Sequence, residues 1–183
     1  GDIHENNTVE KLEKYIALAP KIRTYEKRDV YPLTGSQKGI FAECIKNPES
    51  TIYNIPFLFE LDNSVDVQKL SAAVTAMVNA HSYLLTKVYL NDDGEMVQCP
   101  CEKEFVPEII ETTNDKFETV KNELVRPFKL EKGRLFRAEI YLTEDKKYLF
   151  TDFHHIIADG NSYDIIFANI NRACMGEKPE KES

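Results

Sequence analysis

Residues 153–162 read Phe-His-His-Ile-Ile-Ala-Asp-Gly-Asn-Ser, and the rest of the chain is organised around this stretch. It continues an apolar run, residues 148–153, which predicts a buried strand. The Asp-Gly pair is a turn signal, and Ser162 is predicted to cap an apolar helix that begins at Tyr163. The order of strand, turn and helix places two histidines where the strand ends, and catalytic groups are often found on loops held by such a scaffold.

The histidine pair allows two interpretations. In most proteins a His-His dipeptide is one histidine hydrogen-bonded in the core beside another that faces water. Here Asp159 and Gly160 add the parts that a site needs, because a carboxylate can orient an imidazole or lock the loop, and glycine tolerates backbone shapes that other residues resist. Since neighbouring side chains of a strand point to opposite faces, only one of the two histidines is expected to reach reacting atoms.

Length and composition predict one globular domain. The chain has 183 residues, of which 42% are hydrophobic, and this is enough to bury a real core. The net charge of −8 argues against nucleic acid or an anionic membrane as the main partner. No apolar run reaches the length of a bilayer span, and residues 1–7 do not resemble a signal peptide, so the cytoplasm is the expected location.

The four cysteines are predicted to be reduced thiols, because no secretion signal accompanies them. Cys99 and Cys101 are two soft metal ligands that are close together in the sequence. No second Cys/His pair with metal-site spacing goes with them, and no metal site is predicted. Cys44 and Cys174 fall on apolar helical faces and are predicted to be core residues.

The remaining chain alternates amphipathic helices and strands without a repeating strand-helix-strand unit, which favours an α+β fold over a doubly wound sheet. The predicted helix caps are Thr8, Ser36, Asp66 or Ser64, Asp115 and Ser162. The predicted strands are 53–61, 95–98, 105–110, 136–142 and 148–153. Ile45 and Val120 are predicted to face the core from their helices, and the helix over residues 8–16 is followed by a polar segment over 21–30 that is typical of a linker.

The spacing His-His-x-x-x-Asp-Gly, followed by Ser, resembles the signature of condensation domains in nonribosomal peptide synthetases. Two weaker segments agree with it: Pro-Leu-Thr-x-x-Gln at 32–37 resembles the first condensation-domain motif, and Arg-Pro-Phe-Lys-Leu at 126–130 resembles Arg-Pro-Phe-Asp-Leu. A further segment resembles the family's Arg-His-Glu-x-Leu-Arg-Thr-x-Phe, but Ala80 and Leu85 replace both arginines. The resemblance extends from residue 31 to about residue 176.

The resemblance implies an α+β, chloramphenicol-acetyltransferase-like lobe with a mostly antiparallel sheet packed against helices. Condensation domains have two such lobes with the active site in a tunnel between them, and residues 31–176 are similar to the N-terminal one. Residues 177–183 would then be a linker toward the missing C-terminal lobe. Residues 1–30 are similar to the last helix of an upstream carrier protein with its linker, or form an ordinary N-terminal helix of the same domain.

The resemblance also implies amide-bond formation between a donor acyl or peptidyl thioester and the amine of an acceptor aminoacyl thioester. Both substrates are carried on the phosphopantetheine of carrier proteins, so this chain itself is expected to bind no cofactor. Upstream and downstream carrier proteins and an adenylation domain of the same assembly line are the expected partners. Two alternatives stay open: a non-catalytic carrier-docking module of the same fold, and a free-standing acyltransferase that uses a carrier or coenzyme A thioester.

The residues of the signature take their roles from the resemblance. His155 handles or positions the acceptor amine, and His154 is more structural. Asp159 braces the loop without acting as the base. A backbone N–H near Gly160 helps to polarise the thioester carbonyl.

Neither Ala80 nor Leu85 can hold Asp159 as an arginine of the family segment would. Because a buried unpaired carboxylate is costly, Asp159 must find another partner, reach water or become protonated. Arg137 is the predicted partner. The other cations considered are Arg134, Arg126 and Lys87. Backbone N–H groups of residues 160–162 are the alternative, and they need no cation.

Overall fold

The computed structural model describes residues 28–101 and 104–179, together with Thr8 and Lys11. The strands are β1 Tyr31–Pro32, β2 Asn54–Leu61, β3 Thr86–Leu90, β4 Met96–Pro100, β5 Glu108–Glu111, β6 Phe136–Leu142 and β7 Lys147–His154. The helices are α1 Gly35–Lys46, α2 Val67–Ala80, α3 Asn114–Val120 and α4 Gly160–Cys174, with short 3-10 turns at Ser82–Leu85, Lys121–Glu123 and Leu130–Lys132. The α+β class predicted from the sequence is confirmed.

The strands form two sheets within the described ranges. The larger sheet has the order β2-β7-β6-β5, in which β7 runs antiparallel to both β2 and β6, and β5 runs parallel to β6. The smaller sheet has the order β1-β4-β3 and is antiparallel throughout. The sheets are therefore mostly antiparallel, as the sequence predicts, with one parallel pair that the pattern of residues did not reveal.

β7 lies inside the larger sheet, and both of its faces are buried. The face that carries Leu149 and Phe153 packs under α2 and α4, and the face that carries Phe150 packs against Phe117 of α3. A strand covered on both sides is apolar along most of its length. This explains why residues 148–153 read as an almost continuous apolar run instead of an alternating one.

Helix α2 is capped by Asp66, one of the two residues that the sequence offered. Asp66 Oδ1 accepts hydrogen bonds from the N–H groups of Gln68 at 2.9 Å and Lys69 at 3.1 Å, which satisfies donors that have no partner inside the helix. The buried face of α2 includes Leu70, Val74 and Met77.

Three other helices begin earlier than the sequence predicts, because a different residue caps each of them. The caps are Thr34 in place of Ser36, Thr113 in place of Asp115, and Asp159 in place of Ser162. In α1 and α4 the side-chain oxygen of the third helical residue, Gln37 or Ser162, accepts a hydrogen bond from the N–H group of the cap and completes a capping box. Several residues that can cap a helix lie close together before each of these helices. The sequence therefore predicted that a helix is present but not the residue at which it begins.

Several smaller predictions also need correction. β4 ends at Pro100, beyond the predicted 95–98, and β5 is shorter than the predicted 105–110. Ile45 and Val120 are 53% and 38% exposed, although both were predicted to be buried. Each lies in the last turn of its helix, and periodicity alone does not show where a helix leaves the core. Cys174 is exposed for the same reason, at the last position of α4.

The predicted helix over residues 8–16 and the linker over 21–30 lie largely outside the described residues. Thr8 Oγ1 accepts a hydrogen bond from the N–H group of Lys11 at 3.3 Å, as the predicted cap would. In the part of the chain that the structure describes, no helix has the length and apolar character that crossing a bilayer requires. The same residues contain no group of three or more His, Cys, Asp or Glu side chains that could hold a metal ion.

Gly133 follows the 3-10 turn Leu130–Lys132 with a φ of 75°, which glycine tolerates far better than other residues. A Cβ at this position would overlap Cys101 Sγ and would lie 3.3 Å from Lys87 Cβ. We expect Gly133→Ala to lower the free energy of unfolding, measured by urea denaturation, by about 2–4 kcal/mol, because backbone strain and overpacking add together.

Gly94 provides a matched control, since its φ is 76° and a Cβ there would meet no atom within 4 Å. Gly94→Ala should cost only the backbone strain, about 1–2 kcal/mol. Adding Cys101→Ala to the Gly133→Ala chain should recover the steric part of the loss. Equal losses in the two single glycine variants would contradict the predicted overlap.

Candidate active site at the histidine pair

The two histidines lie where β7 ends, and hydrogen bonds fix their backbone on both sides. His154 N–H donates to Leu135 O at 2.9 Å, and His155 N–H donates to Tyr53 O at 2.8 Å. His154 is 4% exposed, whereas His155 is exposed. As strand alternation predicts, one imidazole enters the interior and the other faces solvent.

His154 is held in one neutral tautomer. Its Nδ1 accepts a hydrogen bond from Ile156 N–H at 3.1 Å, which assigns the ring proton to Nε2. Nε2 lies 3.6 Å from Cys44 Sγ, so the thiol sulfur is the acceptor of that proton. Burial, together with the neighbouring His155, lowers the pKa of His154 to about 4. This imidazole is thus neutral near pH 7, and both of its ring nitrogens have partners.

His155 lies in a cleft of about 420 Å³ beside the first turns of α1. The cleft is lined by Gln37 and Ile40 of α1, Gln98 of β4, and residues 156–159 of the turn between β7 and α4. An exposed imidazole at such a cleft can exchange a proton with a bound group. His154 lines a different cavity, of about 460 Å³, but both of its ring nitrogens already have partners.

Gln37 connects α1 to the turn that follows the histidines. Its Nε2 donates to Ile156 O at 3.0 Å, and its Oε1 accepts from Thr34 N–H at 3.0 Å. The Pro-Leu-Thr-x-x-Gln segment is recognisable in the sequence, but no role was predicted for its glutamine. A glutamine three residues after a capping threonine is the signal that could have found it.

Asp159 caps α4 and is exposed, so its carboxylate reaches water, which is one of the outcomes that the sequence left open. Its Oδ1 accepts from Ser162 Oγ at 2.9 Å and from Ser162 N–H at 3.3 Å. These two bonds, the hydroxyl one first, lower the pKa of Asp159 below its usual value. The prediction that Arg137 pairs with Asp159 is wrong, because Arg137 pairs with Asp152; the backbone alternative is confirmed.

Gly160 is the first residue of α4, and its φ is not in the left-handed region. A Cβ added there would meet no atom within 4 Å, so neither backbone shape nor space requires glycine in this structure. Of the two positions where the family carries arginine, Leu85 is 6% exposed and belongs to the main hydrophobic core. Ala80 is half-buried at the end of α2.

Solved structures define the class to which this fold belongs. The starter condensation domain of rhizomide synthetase RzmA is similar with a TM-score of 0.71 at 19% identity, over 85% of this chain and 40% of that one. A chain in the complex of the X-domain and OxyB from teicoplanin biosynthesis is similar with a TM-score of 0.72 at 22% identity. The match covers 89% of this chain and 37% of that one. The fold is that of a chloramphenicol-acetyltransferase-like lobe.

The family follows from the sequence comparisons. The family model described as "Condensation domain" matches residues 27–183, and the chain belongs to the condensation domain family. Surfactin synthase subunit 1 of Bacillus subtilis (strain 168) is 31% identical over 190 residues, which cover 98% of this chain and 5% of that protein. Gramicidin S synthase 2 of Brevibacillus brevis is 33% identical over 162 residues, which cover 87% of this chain and 4% of that protein. The chain thus spans about one twentieth of these relatives.

Proposed function

We propose that this chain is the N-terminal lobe of a condensation domain that joins two carrier-bound thioesters through an amide bond. A buried histidine beside an exposed one is also the ordinary arrangement of a His-His pair, so the observation that carries the proposal is that Gln37 of the first motif bonds to Ile156 O and lines the same cleft as His155. His154 is locked as a neutral ring in the interior, and His155 lies beside an open cleft. Membership of the condensation domain family supports the reaction class.

In the proposed reaction the acceptor amine attacks the carbonyl carbon of the donor thioester. A C–N bond forms, the C–S bond breaks, and the donor carrier leaves as a thiolate. A free α-amino group has a pKa of about 8, so a useful neutral fraction is present near pH 7. His155 holds the amine and takes the proton that the nitrogen loses during attack, and the departing thiolate finally receives it.

The start of α4 supplies the other proposed parts of the site. Asp159 braces the turn through its bonds to Ser162 and does not act as the base. A backbone N–H near Gly160 donates to the thioester oxygen, where charge develops as the amine adds. His154 supports the turn from the interior without touching the substrates.

The proposed domain organisation follows the same assignment. Residues 1–30 are the end of an upstream carrier protein and its linker, residues 31–176 are the N-terminal lobe, and residues 177–183 lead toward the C-terminal lobe. The partners would be upstream and downstream carrier proteins, whose phosphopantetheine arms hold the substrates, and an adenylation domain of the same cytoplasmic assembly line.

A second candidate function is a non-catalytic carrier-docking module of the same fold. The observation that favours it is the replacement of both arginines of the family segment by Ala80 and Leu85, the latter buried in the core. In that case the histidine turn would keep its shape, as the capping box of α4 ensures, without serving chemistry.

Single-turnover amide formation distinguishes these candidates. The test joins this lobe to its C-terminal lobe and supplies donor and acceptor aminoacyl groups on carrier proteins. We expect product from the two-lobe domain and none from this chain alone, because half of the tunnel is missing. Amide formation by the isolated chain would contradict the assignment as half of a site. A two-lobe domain that binds loaded carriers and forms no amide would establish the docking module instead.

A further inference from the structure

Asp152 is a buried carboxylate on β7, two residues before His154, and it is 0% exposed. Its Oδ2 accepts a hydrogen bond from Asn54 Nδ2 at 2.7 Å and another from Arg137 Nη1 at 3.1 Å. Asn54 begins β2 and Arg137 lies on β6, so the carboxylate joins the two strands that flank β7. None of these three side chains has a role in the reaction proposed above.

The same donors also hold the backbone of the Arg-Pro-Phe segment. Asn54 Nδ2 and Arg137 Nη1 both donate to Arg126 O, at 2.9 Å and 2.7 Å. Arg137 Nη2 donates to Pro127 O at 3.3 Å, and its guanidinium lies over the Phe128 ring at 4.0 Å. Because the guanidinium is planar and rigid, these contacts fix the direction of the segment as well as its position.

Both ends of this network reach the histidines. The Phe128 ring packs edge-on against His154, with the centroids 5.8 Å apart and the planes at 83°. At the other end, Asn54 follows Tyr53, whose carbonyl accepts the His155 N–H and whose ring lies 6.1 Å from that of His154. A shift of Asn54 or of the Arg-Pro-Phe segment therefore acts directly on the rings and backbone that surround the pair.

We propose that Asp152, Arg137 and Asn54 form a clamp that positions His155 for the proposed condensation reaction without touching the substrates. Asp152 is the centre of the clamp, because it aligns the two donors that grip Arg126 O. A buried ion pair contributes little net stability compared with an apolar packing of the same volume. Its function is to impose one geometry, and here that geometry is the direction of the histidine pair.

The neighbouring Arg126–Glu139 ion pair provides a matched control. It involves the same loop and the same strand β6, and Glu139 also accepts from Tyr141 Oη at 2.7 Å. The contacts of this pair do not include either histidine. A variant that breaks it tests whether any loss of charge near the loop has the same effect as loss of the clamp.

The test measures kcat and KM for the acceptor carrier in the two-lobe domain. Asp152→Ala, Arg137→Met and Asn54→Ala should each lower kcat about 10- to 100-fold with KM within about 2-fold, because a small misplacement of a reacting group costs rate more than binding. Asp152→Asn keeps an acceptor oxygen and should recover most of the rate. Glu139→Gln should leave kcat unchanged. If a variant that removes a charge does not fold, the result for Asn54→Ala decides whether the clamp affects kcat, since this substitution removes no charge.

A second measurement does not depend on the proposed function. In this chain, imidazole ¹⁵N spectra should show His154 as a single neutral tautomer, and clamp variants should mix the two tautomers. Exchange of the His155 amide hydrogen should become at least about 10-fold faster in the same variants. Faster amide exchange alone would also follow from a loss of stability, so the tautomer ratio of the folded protein is the readout that a merely stabilising role would not move.

The outcomes separate the two proposals. Lower kcat together with altered histidine spectra supports the clamp. Wild-type kcat in folded Asn54→Ala and Arg137→Met overturns it, as do unchanged histidine spectra in those variants. If the two-lobe wild type forms no amide, the proposed function fails, and the spectra alone decide whether the clamp positions the histidines.

Discussion

Replacement of His155 by alanine in the two-lobe domain is expected to lower the rate of amide formation about 10²–10⁴-fold, the usual range for a general acid–base group. The reason is that His155 is the exposed imidazole of the pair and lies at the cleft, where an amine can reach it. The measurement is single-turnover product formation with carrier-bound donor and acceptor. Thermal denaturation should show little change, because an exposed side chain contributes little to the core.

His154→Ala is the matched comparison, one residue away on the same strand. It removes a 4% exposed ring that accepts from Ile156 N–H and contacts Cys44, so its main effect should be on folding. We expect a loss of about 2–4 kcal/mol in the free energy of unfolding, from the cavity and the unpaired N–H group together. If both variants lost rate in proportion to the fraction unfolded, the distinction between the two histidines would disappear.

The second large effect is on the pH dependence of stability, where His154 and Asp152 oppose each other. Burial and His155 lower the pKa of His154 from 6.5 to about 4. The unfolded chain therefore takes up this proton first as the pH falls below about 6.5, and the folded state loses up to about 3 kcal/mol by pH 4.

The contribution of Asp152 to the pH dependence of stability has the opposite sign to that of His154. Burial raises its pKa from 3.8 to about 6, although Asn54, Arg137 and Arg126 favour the carboxylate. The folded chain takes up this proton first, so stability rises by up to about 3 kcal/mol as the pH falls from about 6 to about 4. In the wild-type protein the two contributions nearly cancel over this interval.

Variants at the two positions should reveal the opposed contributions. Relative to wild type, Asp152→Asn should lose up to about 3 kcal/mol of unfolding free energy between pH 6.5 and pH 4, because the unfavourable protonation of His154 is no longer offset. His154→Gln should gain a similar amount over the same interval. Urea denaturation at several pH values measures both differences, and groups elsewhere cancel in the comparison. Parallel pH profiles for all three proteins would show that neither group titrates as described.

The departure of Ala80 and Leu85 from the family segment has a physical consequence at Asp159. With no arginine at either position, the carboxylate is satisfied by its own helix, through Ser162 N–H and Ser162 Oγ. A capping bond is local, so it brings the turn into shape without any long-range partner. The bracing role proposed for Asp159 thus does not need the arginine that the family pattern supplies.

Much of this lobe could be predicted from local sequence. The buried strand over residues 148–153, the turn at Asp159-Gly160 and the helix after it each follow from patterns within about ten residues. The α+β class follows from the order of such patterns. Strand alternation predicted that the two histidines would point to opposite faces of the strand, because it depends only on adjacent positions.

The partners of the charged residues were decided by the tertiary structure. Arg137 was assigned to Asp159, but it reaches Asp152, which in the sequence follows Thr151 within an otherwise apolar run. The third member of that network, Asn54, is 98 residues from Asp152 in the chain. These three side chains meet because β2 and β6 flank β7 in one sheet, and strand order is set by long-range packing that no local pattern records.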